Sequence, residues 1–360
     1  MTLQTVEIES LQEFDDHVAH TKRLNGWFLQ SIDLTGRADV LASVDPMGAV
    51  FLGCDLTDTS TDDLRSRGAL LFPRLPDLPF DPYRSTLYDA AGLFGSGPYR
   101  DGPDATIYAW SRLQRSLARS LAISLHDHAI GDALDEVTEN IDPRRLVGVM
   151  GGHDLARGEA AYRDASRLGL RLTTGGRTVM TGGGPGAMEA ANLGAWMSAS
   201  PDDLDEAIAI LAGVPSFRPS LDDWADRARE VLGQWPKGGS SFGIPTWFYG
   251  HEPPNAFASA IAKYFTNALR EDTLLSRCRG GIIYLAGAAG TVQEIFQAST
   301  ENYYAADDSA VAPMILVGTD YWTNRFPAWQ LLSSLGAGRA MGAQISLVDS
   351  ADDAVDVILG

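Results

Sequence analysis

Thr291 and Glu294 put a hydroxyl and a carboxylate three residues apart at the start of a helical stretch, directly behind the small-residue turn LAGAAG of residues 285–290. A carboxylate in that position can stabilise positive charge developing on a sugar, or orient and deprotonate a water. The same spacing is that of a capping box, with Thr291 as N-cap and Glu294 reaching back to its N–H. On spacing alone the cap is the stronger reading. A second bare turn lies upstream, in VMTGGGPGAMEAANLGAW, residues 179–196. There Gly182, Gly183 and Gly184 follow a strand-like run, Pro185 suits a first helical position, and Gly186 and Met188 follow. Glycines permit φ > 0 and close approach of a ligand to the main chain. A helix N-terminus adds unpaired N–H groups and partial positive charge, which suit phosphate or carboxylate. Close packing of strand on helix explains such glycines equally well. Neither turn has the G-x-G-x-x-G spacing of the dinucleotide fingerprint, and no lysine stands at the Walker position. Two such junctions in one sheet fit a ligand that has both a phosphate and a sugar.

Other polar residues fall near these turns. Arg270, in REDT, could grip a phosphate in bidentate fashion, whereas Arg277 and Arg279 read as solvated helix-end arginines. His251, Glu252 and Asn255 surround two prolines in FYGHEPPNAF, a rigid loop that serves a ligand or simply turns the chain. His153 follows Gly151 and Gly152 after another strand-like run and reads as a ligand contact at the same sheet edge. Trp196, Trp224, Trp247, Trp322 and Trp329 are more often packing residues than platforms for a base.

The elements that must carry these residues begin near residue 140. RRLVGVMGG, TVMTGGG, GIPTWF, GGIIYLAG, PMILVG and ISLVDS read as strands. Helical stretches intervene: ARGEAAYRDASRLGLRL, PGAMEAANLGAWMS, DDLDEAIAIL, SLDDWADRAREVLGQW, a long helix FASAIAKYFTNALREDTLLSRC, TVQEIFQAST and ADDAVDVILG. Apolar strands alternating with helices predict a parallel sheet covered on both faces, with ligands at the carboxyl ends of the strands. The expected fold is α/β, a Rossmann-like doubly wound sheet, over residues 136–360. Residues 1–135 form an N-terminal α+β region with short apolar segments (NGWFLQSIDL, GAVFLGCDL), a proline-rich irregular stretch, and one or two helices within 105–137. No internal repeat stands out.

Composition bounds the function. The 360 residues are 45% apolar and 21% charged, as in a soluble globular protein. A formal charge of −19 argues against binding of a nucleic-acid polymer, which needs a basic footprint, but leaves room for a small anion at a locally positive site. No apolar run approaches the length of a membrane helix, and the acidic N-terminus lacks the pattern of a signal peptide, so the cytoplasm is expected. Cys54 and Cys278 are too few for a disulfide framework or a metal cluster, and no metal is expected.

The chain resembles the Lonely Guy family of nucleoside 5′-monophosphate phosphoribohydrolases, long misnamed lysine decarboxylases. The family marker P-G-G-x-G-T-x-x-E is matched at Gly287, Gly290, Thr291 and Glu294, with Ala289 at its variable position. Its upstream loop, G-G-G-x-x-G-x-M, is similar to residues 182–188 with the last glycine one place early. GGH at 151–153 and EPPN at 252–255 are similar to the longer bacterial nucleotide 5′-monophosphate nucleosidases. The likeness spans roughly residues 140–350. It implies hydrolysis of a nucleotide's N-glycosidic bond to free base and ribose 5-phosphate, without a cofactor, in a homodimer or higher homo-oligomer. Glu294 and Arg270 take the catalytic positions, Arg270 one place off the family spacing. Gly151, Gly152, His153, Gly182, Gly183, Gly184, Gly186, Met188, Glu252, Asn255, Gly287, Ala288, Ala289, Gly290 and Thr291 take the substrate-binding positions. The implied partner is a nucleoside 5′-monophosphate or a related phosphorylated ligand. Two departures matter: Ala286 replaces the marker's proline and Ala288 its second glycine. If that glycine must take φ > 0, alanine costs about 1 kcal/mol or more.

The competing expectation is a nucleotide-binding sensor or carrier of the same fold without catalysis, which the altered marker favours. Pyridoxal-phosphate decarboxylation, the reading behind the old family name, is rejected. The one lysine near either turn, Lys263, is expected on the long helix.

Overall fold

The computed structural model describes residues 5–248 and 252–360. His251 therefore lies outside the described residues. The chain divides into two compact units, residues 1–86 with 114–133, and residues 87–113 with 134–360.

The first unit holds β1 (Val6–Ile8), α1 (Leu11–Val18), β2 (Trp27–Gln30), α2 (Ala38–Ser43), β3 (Val50–Leu52), α3 (Asp58–Ser66) and β4 (Leu70–Phe72). Its four strands are all parallel and lie in chain order, β1-β2-β3-β4. The register aligns GWFLQSIDL at 26–34 with GAVFLGCDL at 48–56, so the region contains a repeat that whole-sequence inspection misses. Gly26, Gly48 and Gly68 stand at the same corner of successive turns, each with φ between +77° and +92°. Their backbones are laddered, Gly26 N–H donating to the Gly48 carbonyl and Gly48 N–H to the Gly68 carbonyl. Inward Leu29 and Phe51 stack in a core with Ile8, Phe14, Leu41 and Leu64. The repeat escapes notice because only the strand and its corner recur, while the returning helices differ.

The second unit begins with α4 (Ala90–Phe94) and α5 (Pro103–Ser111); the chain passes through the first unit and returns within α6 (Leu117–Thr138). Then follow β5 (Leu146–Met150), α7 (Ala160–Thr174), β6 (Thr178–Thr181), α8 (Ala187–Trp196), α9 (Leu204–Ala212), α10 (Leu221–Gln234), β7 (Ser241–Gly243) and β8 (Ala260–Ile261). The chain closes with α11 (Asn267–Arg277), β9 (Ile282–Tyr284), α12 (Ala289–Tyr303), β10 (Met314–Val317), α13 (Ala328–Gly336), β11 (Ile345–Val348) and α14 (Ala351–Leu359). The seven strands are parallel in the order β11-β10-β9-β5-β6-β7-β8. This is a Rossmann-like doubly wound α/β sheet. Strands β5, β6 and β9 are buried along their length, apart from half-buried Thr178 at the start of β6, and are therefore continuously apolar rather than alternating. From β5 the chain steps outward to β6, β7 and β8, and then β9 returns to the opposite side of β5. The order reverses between β5 and β9, the position at which such sheets leave a crevice outside the strand ends.

Two expectations need correction. The long helix over 257–278 is shorter, and its first part is not helical: Ala260 and Ile261 pair with Phe242 and Gly243 of β7. Residues 261–265 are all buried, Lys263 included, so no alternation of buried and exposed positions separates strand from helix there. Lys263 thus sits just past a strand, where its ammonium meets Asp104 Oδ1 at 2.7 Å. The strand expected at GIPTWF lies slightly earlier, at Ser241–Gly243, because Pro245 has no N–H to extend the ladder.

Among the described residues, no helix is long and apolar enough to cross a membrane.

Candidate functional site

The loops after β5, β6 and β9 meet at the carboxyl edge of the sheet. The β5 and β9 loops touch directly, with Gly152 N–H donating to the Ala286 carbonyl at 2.9 Å. Gly287 is wedged between them. A Cβ there would lie 2.1 Å from Thr291 Oγ1 and 3.1 Å from Gly152 N, so glycine is required by space. Tyr321 Oη clamps the same residue by donating to its carbonyl at 2.7 Å.

Helix α12 starts earlier than a capping box requires. Its N-cap is Ala288, which has no side-chain cap, and Thr291 already lies inside the first turn. The cap reading of Thr291 and Glu294 is therefore overturned. Thr291 packs beneath Gly287, and Glu294 turns toward Arg270. Ala288, Ala289 and Gly290 are exposed, and nothing lies within 4 Å of the position a Cβ would take on Gly290. The result is an accessible, uncapped helix N-terminus beside the crevice. Ala288 has φ −106°, so alanine in place of the marker's second glycine brings no left-handed strain.

The β6 turn differs. Residues 181–190 are all buried. Gly186 has φ +69°, and a Cβ on it would lie 2.4 Å from the Gly152 carbonyl oxygen. The turn is held by Asn255, whose N–H donates to the Gly183 carbonyl at 2.7 Å and whose Nδ2 donates to the Gly184 carbonyl at 3.1 Å. Asn255 Nδ2 also reaches Asn192 Oδ1, and its own Oδ1 accepts from the N–H groups of Phe257 and Ala258. That amide is consumed by the protein. Gly151 is similarly tight, a Cβ falling 2.7 Å from that of Ala187. Met188 covers Gly182 and Gly184.

Arg270 joins the two turns. It is buried, only 8% exposed. Its Nη1 contacts Glu271 Oε1 at 2.7 Å and Glu294 Oε1 at 3.4 Å, while its Nη2 lies 3.1 Å from where Gly182 would carry a Cβ. Glu294, 6% exposed, has its carboxyl pushed up to about 8. Burial is the main cause; Arg270 pulls it down and Glu271 pushes it up. Burial thus favours the neutral, protonated acid. Tyr284, at the end of β9, lies near Glu294, and burial above all raises its phenol well above the ordinary value. Sequence reasoning missed Glu271, Tyr284 and Tyr321, although REDT does show Glu271 beside its arginine.

His153 and Glu252 meet at the rim, His153 Nδ1 standing 3.7 Å from Glu252 Oε1 and its Nε2 3.1 Å from Asp154 Oδ1. Of the five tryptophans weighed as platforms, Trp224, Trp247 and Trp322 are buried. Trp224 lies under Arg157, which binds Glu189 through two hydrogen bonds of 2.9 and 2.6 Å in a buried structural pair. Lys263 is fully buried, and burial lowers its ammonium below the usual range against the pull of Asp104.

No family model matches the chain, and no curated protein matches it. Similar solved structures include the molybdenum cofactor binding protein from the phototrophic bacterium Rippkaea orientalis, at 18% identity and TM-score 0.35. Two structures of the molybdenum cofactor carrier protein from Chlamydomonas reinhardtii are similar at 18% and 20% identity, with TM-scores 0.37 and 0.33. Each alignment covers 59% of this chain and 94% of the other. At these values the likeness transfers neither ligand nor activity.

Proposed function

We propose that the chain binds a phosphorylated, nucleotide-like small molecule at the β5–β9 switch point and holds it without cleaving it. The phosphate takes the exposed N–H groups at the start of α12, and the sugar lies toward Arg270 and Glu294. The observation that carries this reading is the uncapped first turn of α12, open to solvent at Ala288, Ala289 and Gly290. Partial positive charge and free amides favour an oxyanion there even in a chain of net charge −19.

Holding is favoured over hydrolysis by the state of Glu294. A carboxylate that stabilises an oxocarbenium-like sugar must be ionised. Here burial raises the carboxyl toward its neutral form, and Arg270 engages it.

The second reading is the phosphoribohydrolase of the Lonely Guy resemblance, favoured by the proximity of Glu294 and Arg270. A protonated acid beside the sugar can serve as the proton donor to a leaving base. Calorimetric titration with AMP, CMP, GMP and UMP, followed by chromatography for free base, separates the two. The carrier reading expects saturable binding with no released base. Multiple turnovers that vanish in Glu294→Gln would establish the hydrolase, and failure of all four nucleotides to bind would remove both.

A further inference from the structure

Arginine and carboxylate usually pair through two parallel hydrogen bonds. The pair Arg270 and Glu271 does not. Arg270 spends Nη1 alone on one oxygen from each of Glu271 and Glu294, leaving its Nε buried and unpartnered. Glu271 is 1% exposed, and its Oε2 is also buried without a partner. An unpaired donor and an unpaired charged acceptor on adjoining groups are each costly to bury. A single chemical group relieves both if it can accept from Nε and donate to Oε2. A phosphate dianion has no proton to donate, and the Glu271 carboxylate 2.7 Å from Arg270 already offsets its charge. A hydroxyl does both.

We infer that Glu271 is a specificity-determining residue that accepts a hydrogen bond from a sugar hydroxyl of the bound ligand, with Arg270 donating to the same diol. The inference rests on the ligand class proposed above and deepens it: the ligand carries a free hydroxyl on its sugar, and the phosphate is bound elsewhere, on α12.

The test compares AMP with 2′-deoxy-AMP and 3′-deoxy-AMP by calorimetry on the full chain, in wild type and in Glu271→Gln. The expected result is a Kd weaker by about 10- to 100-fold for at least one deoxy analogue in wild type, the range of one hydrogen bond to a charged group. In Glu271→Gln the amide keeps an oxygen for Arg270 and can offer the hydroxyl only a neutral N–H₂ donor, so the ratio between AMP and that analogue shrinks to about a few-fold, the range of a neutral hydrogen bond. A residue that only supported the fold would weaken all three ligands together and leave the ratio unchanged. Equal wild-type affinity for AMP and both analogues overturns the inference and leaves the binding function standing; water then satisfies the two atoms. A preserved ratio in Glu271→Gln also overturns it. If wild type binds none of the three, the inference falls together with the proposed function.

Discussion

The two glycine-rich junctions of the sheet look alike in sequence and differ in what surrounds them. The turn after β6 is buried throughout, and its carbonyls are taken by Asn255. The turn after β9 is clamped at its base by Thr291, Gly152 and Tyr321 and open at its tip. Bareness in the first serves packing, because a helix must approach the neighbouring loop more closely than any side chain allows. In the second it leaves backbone amides accessible. A glycine loop therefore becomes a binding site only when its polar groups are not already spent.

That contrast can be broken in several ways. The largest effect is expected from Gly186→Ala, which combines positive φ with a clash against backbone and should cost about 2–4 kcal/mol in denaturant unfolding. Gly290→Ala should be stability-neutral. If both variants unfolded alike, the two turns would not differ as described. Glu294→Gln comes next and has a definite sign. The folded carboxyl titrates at about 8 against 4.5 when unfolded, so the folded state holds the extra proton between those values. Wild-type stability from this group is intact below pH 4.5 and is lost as the pH rises toward 8, at about 1.4 kcal/mol per pH unit at most. The glutamine variant removes that slope, so its thermal midpoint should match wild type near pH 5 and exceed it near pH 8.5. A parallel pH dependence in the two proteins would mean that Glu294 is ionised in the fold.

Asn255→Ala should cost about 2–3 kcal/mol, since it strands the buried Gly184 carbonyl and the Phe257 and Ala258 N–H groups. Its measured midpoint should fall well below that of a rim variant such as Glu252→Gln. A small change in stability is expected from Gly290→Glu. A negative charge at the start of α12 is favourable by about 0.3–1 kcal/mol but competes with a bound phosphate. Nucleotide affinity should drop more than about tenfold while the thermal midpoint holds or rises slightly. Unchanged affinity would mean that the phosphate sits elsewhere.

Much of the second unit was legible in the chain itself. Several of its strands are short apolar runs that lead into glycine, as at β5, β6 and β10, and its helices carry capping residues such as Ser220 and Ser350. What failed was local. The run 257–266 has no glycine or proline to mark a break, so a two-residue strand paired to β7 reads as helix. Thr291 and Glu294 have the spacing of a cap, and only the position of the helix start, fixed by the Gly287 clamp, decides against it. The glycines of residues 182–186 advertise a loop but not whether it is open, because Asn255 lies about seventy residues away in sequence. Glu271 and Tyr321 are ordinary residues in a sequence; their roles come from a guanidinium shared unequally and from a phenol that happens to meet a carbonyl.

The most direct test follows backbone amide resonances of the isotopically labelled protein while AMP is added. Saturable shifts at Ala289, Gly290 and Thr291, with Gly183 and Gly186 nearly still, are the predicted outcome. Shifts confined to residues 182–186, with the start of α12 silent, would contradict it.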